Sequence, residues 1–581
     1  MTNSSNSDGP LNLDDPGQPA LKSLSWAEQA LVLAATLIAS VTAVCWSWRN
    51  NAFLLYGDAE AHIHIARRIF DSHRPGLTQL GSVWLPLPHL LLVPFIAVDS
   101  WWRSGFGPAI PSAACYVLAC LGLYRLARKW LSPASASLAL LLFAANPNLL
   151  YLQTTAMTEP LFLCELIWAI LLLVEWYANL STDGLREGRL LWAIIAVLVA
   201  GVYTRYDGWI LAFLAWLAMA VCMWHRGRLT QRSFVLASIV LLLAPVGWMV
   251  YNAVVFGDWL DFIRGPYSAK AIELRTSSSS VDPHPGWHNP WVSFEYFLRA
   301  AEMDAAAVGW GWLLFVVALL GTAWAWFRSA AALPGRLNGP AGSRHAAIGW
   351  TLLLWLPLPF YAYSVSYGSV PIFLPVFKPF SWYNTRYGME LLPAFALFLG
   401  FAVEGLLAQV RRLAPKYAPV AVVIMAALLA ANAAEVVKER PLTYVEGQKN
   451  TESRLYYNTV LAETLTKLHK LDPTGVVLMD TSTFPSLVPH SGLTYRQTLN
   501  ESDKEFYQAA LAAPAAHAHI VLAFAGDEID KAVKSHPGHL SVYERFHSPF
   551  KGWDQPDATV YVSDTFQGSP LQTPSTGATD R

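Results

Sequence analysis

About eleven apolar runs of membrane-spanning length leave this chain little choice of fold. They lie near residues 27–47, 109–127, 133–150, 159–178, 189–205, 209–225, 233–253, 306–327, 346–364, 388–408 and 418–436. A spanning helix needs about 20 predominantly apolar residues. Inside hydrocarbon, only helices and closed barrels satisfy every backbone polar group. The chain is therefore read as mainly α, a polytopic membrane protein with about eleven transmembrane helices. A twelfth run, 84–99 (WLPLPHLLLVPFIAVD), is shorter and interrupted by Pro86, Pro88 and Pro94, which suits an interfacial or re-entrant piece.

Composition agrees and excludes alternatives. Of 581 residues, 54% are hydrophobic and 14% charged, where soluble domains carry roughly 25% charged residues. The net charge of -1 excludes a strongly basic nucleic-acid binder. The 25 Trp and 23 Tyr supply interfacial aromatic belts. Cys45, Cys115, Cys120, Cys164 and Cys222 all fall in or beside apolar runs with no metal-ligand spacing, so they read as small buried hydrophobes.

Loop charge sets the topology. Arg125, Arg128 and Lys129, then Arg186 and Arg189, Arg226, Arg228 and Arg232, Arg328, Arg336 and Arg344, and Arg411, Arg412 and Lys416 all fall in alternate loops. The positive-inside rule makes that side cytoplasmic. Residues 48–108, 147–158, 204–209, 254–305, 365–387 and everything after the last helix then lie outside. Four regions follow: a polar cytoplasmic tail over 1–26, a membrane domain over 27–439 with its large first outer loop at 48–108, an extracytoplasmic α/β domain over 440–565, and a polar tail over 566–581. In the third region VVLMD (476–480), IVLAFA (520–525), LSVYERF (540–546) and ATVYVS (558–563) have strand character, and 501–513 has helical spacing. The stretch 276–290 has the composition of a flexible lid.

The outer ends of the helices carry the residues with chemistry in them. In 56–71 (YGDAEAHIHIARRIFD), a helix over 58–70 puts Asp58 and His62 on one stripe, and Glu60, His64 and Arg67 on another. Asp58 is either an N-cap or a working carboxylate, and a helix start suits both. Glu159, in Thr158-Glu159-Pro160, opens an apolar helix, where a carboxylate is costly without a partner or a task. Thr204-Arg205-Tyr206-Asp207-Gly208-Trp209 crowds an Arg and an Asp into one turn. Trp382-Tyr383-Asn384-Thr385-Arg386-Tyr387 leads into a late helix. Each group has a plain structural alternative: a cap, a local ion pair or a snorkelling Arg. Together, three carboxylates and two arginines reach one membrane face. A tuned carboxylate serves as a general base, and the guanidinium fork suits phosphate, so the set points to transfer from a phosphate-linked lipid.

The layout resembles the GT-C glycosyltransferases, polytopic enzymes that use polyprenyl-phosphate-linked sugars. It is similar in plan to protein O-mannosyltransferases, lipid A aminoarabinose transferases and the RgtA/B/C/D-like bacterial group. The acidic motif Gly57-Asp58-Ala59-Glu60, the second acid Glu159, the pair Arg386-Tyr387 and the outer C-terminal region carry the resemblance. It implies an inverting membrane glycosyltransferase, hexosyl- or pentosyl-, with Asp58 as catalytic base and Glu159 as supporting acid. It implies substrate contacts at Glu60, His62, Arg205, Asp207, Tyr383, Arg386 and Tyr387, with Arg386 on the donor phosphate. The Asp-x-Glu spelling loosely resembles the Asp-x-Asp of metal-using oligosaccharyltransferases, which leaves room for Mg or Mn at Asp58 and Glu60. The implied partners are a polyprenyl-phosphate-sugar donor, a lipid, protein or polysaccharide acceptor, and membrane lipid. The implied location is the cell (inner) membrane. A transporter or flippase without transferase activity is the alternative, and a membrane scaffold a third reading.

Overall fold

The computed structural model describes residues 24–180, 184–276, 282–331, 347–549 and 556–567. Most of the two tails, residues 277–281 near the start of the lid stretch, and Arg336 and Arg344 lie outside the described residues.

Among the described residues, eight helices are long and apolar enough to cross a bilayer, from Trp26–Arg49 to the run Pro415–Glu452. Eight of the eleven expected runs fall on these helices; 189–205 lies in Gly184–Thr204 and 306–327 in the shorter apolar helix Gly311–Phe327. The run at 133–150 is divided into Pro133–Ala144 and Pro147–Leu152. Its break falls at Asn146-Pro147, where the Asn146 side chain accepts from the Leu149 N–H at 3.0 Å and starts a new helix. The run at 346–364 begins as a 3₁₀ segment, Ala347–Trp355, and continues as Pro357–Tyr367. The proline-interrupted run forms a short helix, Pro86–Ile96.

Helix starts follow sequence chemistry. Ser25 and Glu28 form a capping box at Trp26–Arg49, and proline occupies the first turn of the helices at Pro133, Glu159, Pro290 and Leu392. The basic loops converge on one end of the bundle, where Arg128 meets Glu28 at 3.2 Å, Lys129 meets Glu175 at 2.7 Å and Arg228 meets Glu187 at 2.8 Å.

The Gly57–Arg68 helix packs beside Pro86–Ile96, with His62 hydrogen-bonded to His89. Beyond the last long helix, a short helix, Leu442–Glu452, leads into an α/β region. Its sheet has β1 (Val477–Leu478), β2 (Thr498–Leu499), β3 (Ile520–Phe524), β4 (Leu540–Phe546) and β5 (Ala558–Ser563) in the order β2-β1-β3-β5-β4. The β1 pairings with β2 and β3 are parallel, and those of β5 with β3 and β4 are antiparallel. Four of these strands coincide with the runs read from sequence. β2, two residues long, has too little pattern to be read. The expected helix at 501–513 is present as Glu505–Ala512.

Candidate functional site

Arg386 is the hub of the site. It stands in the tight segment Thr385–Leu391 that runs into the Leu392–Leu413 helix, and it is 4% exposed. Its Nη2 donates to Asp58 Oδ2 at 2.5 Å, its Nη1 donates to Glu446 Oε1 at 2.8 Å, and its Nε lies 3.2 Å from Glu159 Oε1. Glu159 and Glu446 are buried, whereas the Asp58 side chain is 47% exposed. Of the three carboxylates on Arg386, only Asp58 faces open space.

Arg205 forms a second hub from the next helix junction. It donates to Thr158 Oγ1 at 2.8 Å and to the Tyr361 hydroxyl at 2.6 Å. It pairs with Glu390 at 3.0 Å, Asp207 at 3.2 Å and Glu159 at 3.4 Å. Glu159 thus touches both guanidiniums, at the first turn of its helix where backbone N–H groups favour negative charge. The Tyr387 ring lies between the two arginines, 5.1 Å from each guanidinium carbon, and stacks on Tyr361 at 5.1 Å. An aromatic face attracts such cations, so Tyr387 adds to Glu159 in offsetting the repulsion between the two guanidiniums.

Two glycines permit this crowding. A Cβ at Gly208 would collide with the Gly201 carbonyl, and one at Gly388 with the backbone of Ala300-Ala301. Larger residues there would push Asp207 and Arg386 out of register.

The remaining sequence-derived candidates divide. Tyr383 is half-exposed within electrostatic range of Asp58, and pairs through its backbone with Phe373. Glu60, two positions from Asp58, turns away and is buried against Arg454 and Ser486. His62 is buried, hydrogen-bonded to His89 at 2.9 Å and packed on Trp84 at 4.5 Å. Burial, and then the charges of Arg386 and Arg205, push its imidazole down to about 3, so it is neutral near pH 7. His64 accepts from the Trp102 indole at 3.2 Å. Because Asp58 and Glu60 are committed to different guanidiniums on different sides of one helix, this pair does not fit a shared Mg or Mn ion. Among the described residues no cluster of three or more His, Cys, Asp or Glu side chains has metal-holding geometry.

Sequence reading missed Glu390, Tyr361, Asp304 and Glu446. Glu390 follows Arg386 by one helical turn inside an apolar run, a signal of the kind that singled out Glu159. Tyr361 and the fully buried Asp304 carry no comparable signal. Burial and the nearby charges of Glu446 and Glu159 raise the Asp304 carboxyl well above its usual range. Glu446 lies in a polar helix beyond the last span, and nothing local marks it.

Beside the charged cluster is a small apolar hollow of about 30 Å³, lined by Leu91, Leu92, Pro111, Ala156, Met157, Thr158 and Leu161. Thr158 is also a partner of Arg205. The hollow and the charged cluster therefore meet at Thr158.

Comparison with known proteins follows the same lines. The family described as dolichyl-phosphate-mannose-protein mannosyltransferase matches residues 102–251, roughly a quarter of the chain. The fold is shared with ArnT from Cupriavidus metallidurans. For the structure bound to undecaprenyl phosphate, the TM-score is 0.50 at 13% identity, over 94% of this chain and 100% of that one. For the apo structure it is 0.51 at 13% identity, over 93% and 99%. The Archaeoglobus fulgidus oligosaccharyltransferase, in its complex with zinc and sulfate, aligns at 0.46 and 13% identity over 92% of this chain and 73% of that one. No curated protein sequence matches the chain.

Proposed function

From the premise that this chain has the GT-C fold, we infer that it is a membrane glycosyltransferase taking its sugar from a polyprenyl-phosphate-linked donor. One observation carries the reading: a buried Arg386, otherwise saturated by buried acids, offers its single open position to Asp58. A donor phosphate, with a fork-shaped demand for guanidinium N–H groups, competes for that position. As phosphate takes that position on Arg386, Asp58 is released as an exposed carboxylate next to the reacting carbon.

The step then balances simply. Asp58 takes the proton of an acceptor hydroxyl as that oxygen bonds to the anomeric carbon. The bond from carbon to phosphate oxygen breaks on the opposite face, and its electron pair leaves on the polyprenyl phosphate. Configuration inverts. Arg386 and Arg205 stabilise the leaving phosphate, whose charge grows in the transition state. The apolar wall formed by Leu91, Leu92, Met157 and Leu161, which meets the charged cluster at Thr158, is the surface along which the isoprenoid lies. The ArnT structure, similar in fold, contains undecaprenyl phosphate, which supports that lipid class. Loop charge supports a site on the extracytoplasmic face of a cell (inner) membrane, with a cytoplasmic N-terminus. The region over 440–565, which pairs Glu446 with Arg386 and Arg454 with Glu60, is the natural place for acceptor recognition. Acceptors of lipid, protein or polysaccharide type all present the hydroxyl the step needs.

A structure with undecaprenyl phosphate bound tests the reading. Phosphate oxygens on Arg386, with Asp58 turned away from it, are expected. A phosphate remote from both Arg386 and Asp58 would overturn it.

A further inference from the structure

We propose that Glu446, beyond the last long helix, is a positioning residue for this reaction: it fixes Arg386 independently of Asp58, so that Arg386 exchanges Asp58 for the donor phosphate without moving. The proposal rests on the glycosyltransferase reading and adds a residue to it.

Glu446 uses both carboxylate oxygens on the segment that carries Arg386. Oε1 accepts from the Asn384 N–H at 2.7 Å and from Arg386 Nη1 at 2.8 Å. Oε2 accepts from the Thr385 hydroxyl at 2.6 Å and from the Arg386 N–H at 3.3 Å, with the Tyr56 hydroxyl at 3.4 Å. The turn is held by backbone and side chain together, including Asn384 in the left-handed region at φ 55°, which Asn tolerates better than most residues. A carboxylate so fully satisfied and 4% exposed has no freedom to act on substrate. It has the geometry to keep a guanidinium still, and Asp58 has not.

The same short helix positions the other half of the site. Asn450 Oδ1 accepts the Gly57 N–H at 2.6 Å, one of the unpaired donors at the start of the helix that carries Asp58. Thr451 donates to the Leu55 carbonyl at 2.8 Å, and the Tyr56 hydroxyl donates to the Thr443 carbonyl at 2.5 Å. The helix is itself anchored on the bundle, its Thr443 N–H donating to Asn148 Oδ1 at 3.0 Å. Leu442–Glu452 therefore sets the separation between base and phosphate clamp, a separation on which a 1 Å error costs on the order of 10²-fold in rate.

The experiment is steady-state kinetics of the full-length protein with a polyprenyl-phosphate sugar, alongside native mass spectrometry of undecaprenyl phosphate binding. Glu446→Gln should lower kcat/KM for the donor by on the order of 10²-fold and weaken undecaprenyl phosphate binding in parallel, leaving the acceptor KM unchanged. Glu446→Asp, which keeps the charge, should restore part of the loss. A donor kcat/KM within about twofold of wild type, or undecaprenyl phosphate binding that is unchanged, would overturn the proposal. If Glu446→Gln does not fold, Thr385→Val decides, since it removes one contact and leaves the ion pair: a lowered donor kcat/KM supports the role and an unchanged one overturns it. A wild-type protein that neither transfers sugar nor binds undecaprenyl phosphate overturns the transferase reading itself. An active wild type with an indifferent Glu446→Gln overturns only the positioning role.

Discussion

Arg386 and Asp58, 328 positions apart in sequence, meet at 2.5 Å. The contact joins the start of the first outer helix to the start of a late spanning segment. It also leaves the carboxylate occupied until something else takes its place on the guanidinium.

The first consequence concerns Asp58→Asn. The amide keeps the size and still accepts from Arg386, but it cannot remove a proton. Transfer should fall by roughly 10²–10⁴-fold, while thermal unfolding in detergent stays close to wild type because the side chain is half exposed. Full activity, or an unfolded protein, would show that Asp58 is not the base.

Substrate order is the second. A masked base requires the donor to arrive first and free it. Product-inhibition patterns and equilibrium binding should show acceptor affinity rising when undecaprenyl phosphate occupies Arg386. Random order with no coupling between the two ligands would contradict the exchange of partners on Arg386.

Removing the hub should affect folding as well as activity. Arg386→Gln leaves Glu446 buried without its cation and Glu159 with Arg205 alone, and removing one partner of a buried pair costs about 3–5 kcal/mol. Loss of monodisperse protein on size exclusion is expected. Arg386→Lys keeps the charge but cannot serve three carboxylates with a planar fork, so it should fold and lose donor binding.

Acid sensitivity is the fourth. His62 has its folded pKa depressed from 6.5 to about 3, and burial depresses His64 in the same direction. For a depressed histidine the unfolded chain binds the proton first. Its contribution to stability is therefore present above pH 6.5 and is lost as pH falls toward 3. The loss approaches about 1.4 kcal/mol per pH unit per group. Unfolding temperature should decline from pH 6.5 to pH 4 in wild type and more shallowly in His62→Gln. Parallel curves would place the imidazole in a more solvated setting.

Much of this arrangement is legible before any coordinates. Spans, loop charge and strand runs rest on local patterns, and so do Asp58, Glu159, Arg205, Asp207, Arg386 and Tyr387, which are charged or aromatic residues at the ends of apolar runs. All six are brought together. Glu60 shows the limit of that logic: periodicity separated it from Asp58, but nothing local named Arg454 as its partner. Glu390 carried a readable signal, an acid within hydrocarbon length. Glu446 carried none, since a Glu in a polar helix is ordinary until its partner 60 residues upstream is known. The division of 133–150 was written in Asn146-Pro147, where cap and proline outweigh hydropathy.

The place of Glu446 also fixes when the protein can work. Arg386 enters its helix junction 60 residues before Glu446 is made, and at ordinary synthesis rates of about 5–20 residues per second that interval is several seconds. During it, a guanidinium destined for burial waits at the membrane edge, with Asp58 and Glu159 already synthesised and its third carboxylate still in the ribosome. A nascent chain therefore passes through insertion with its phosphate clamp unlatched, and becomes competent only after its last long helix has been released.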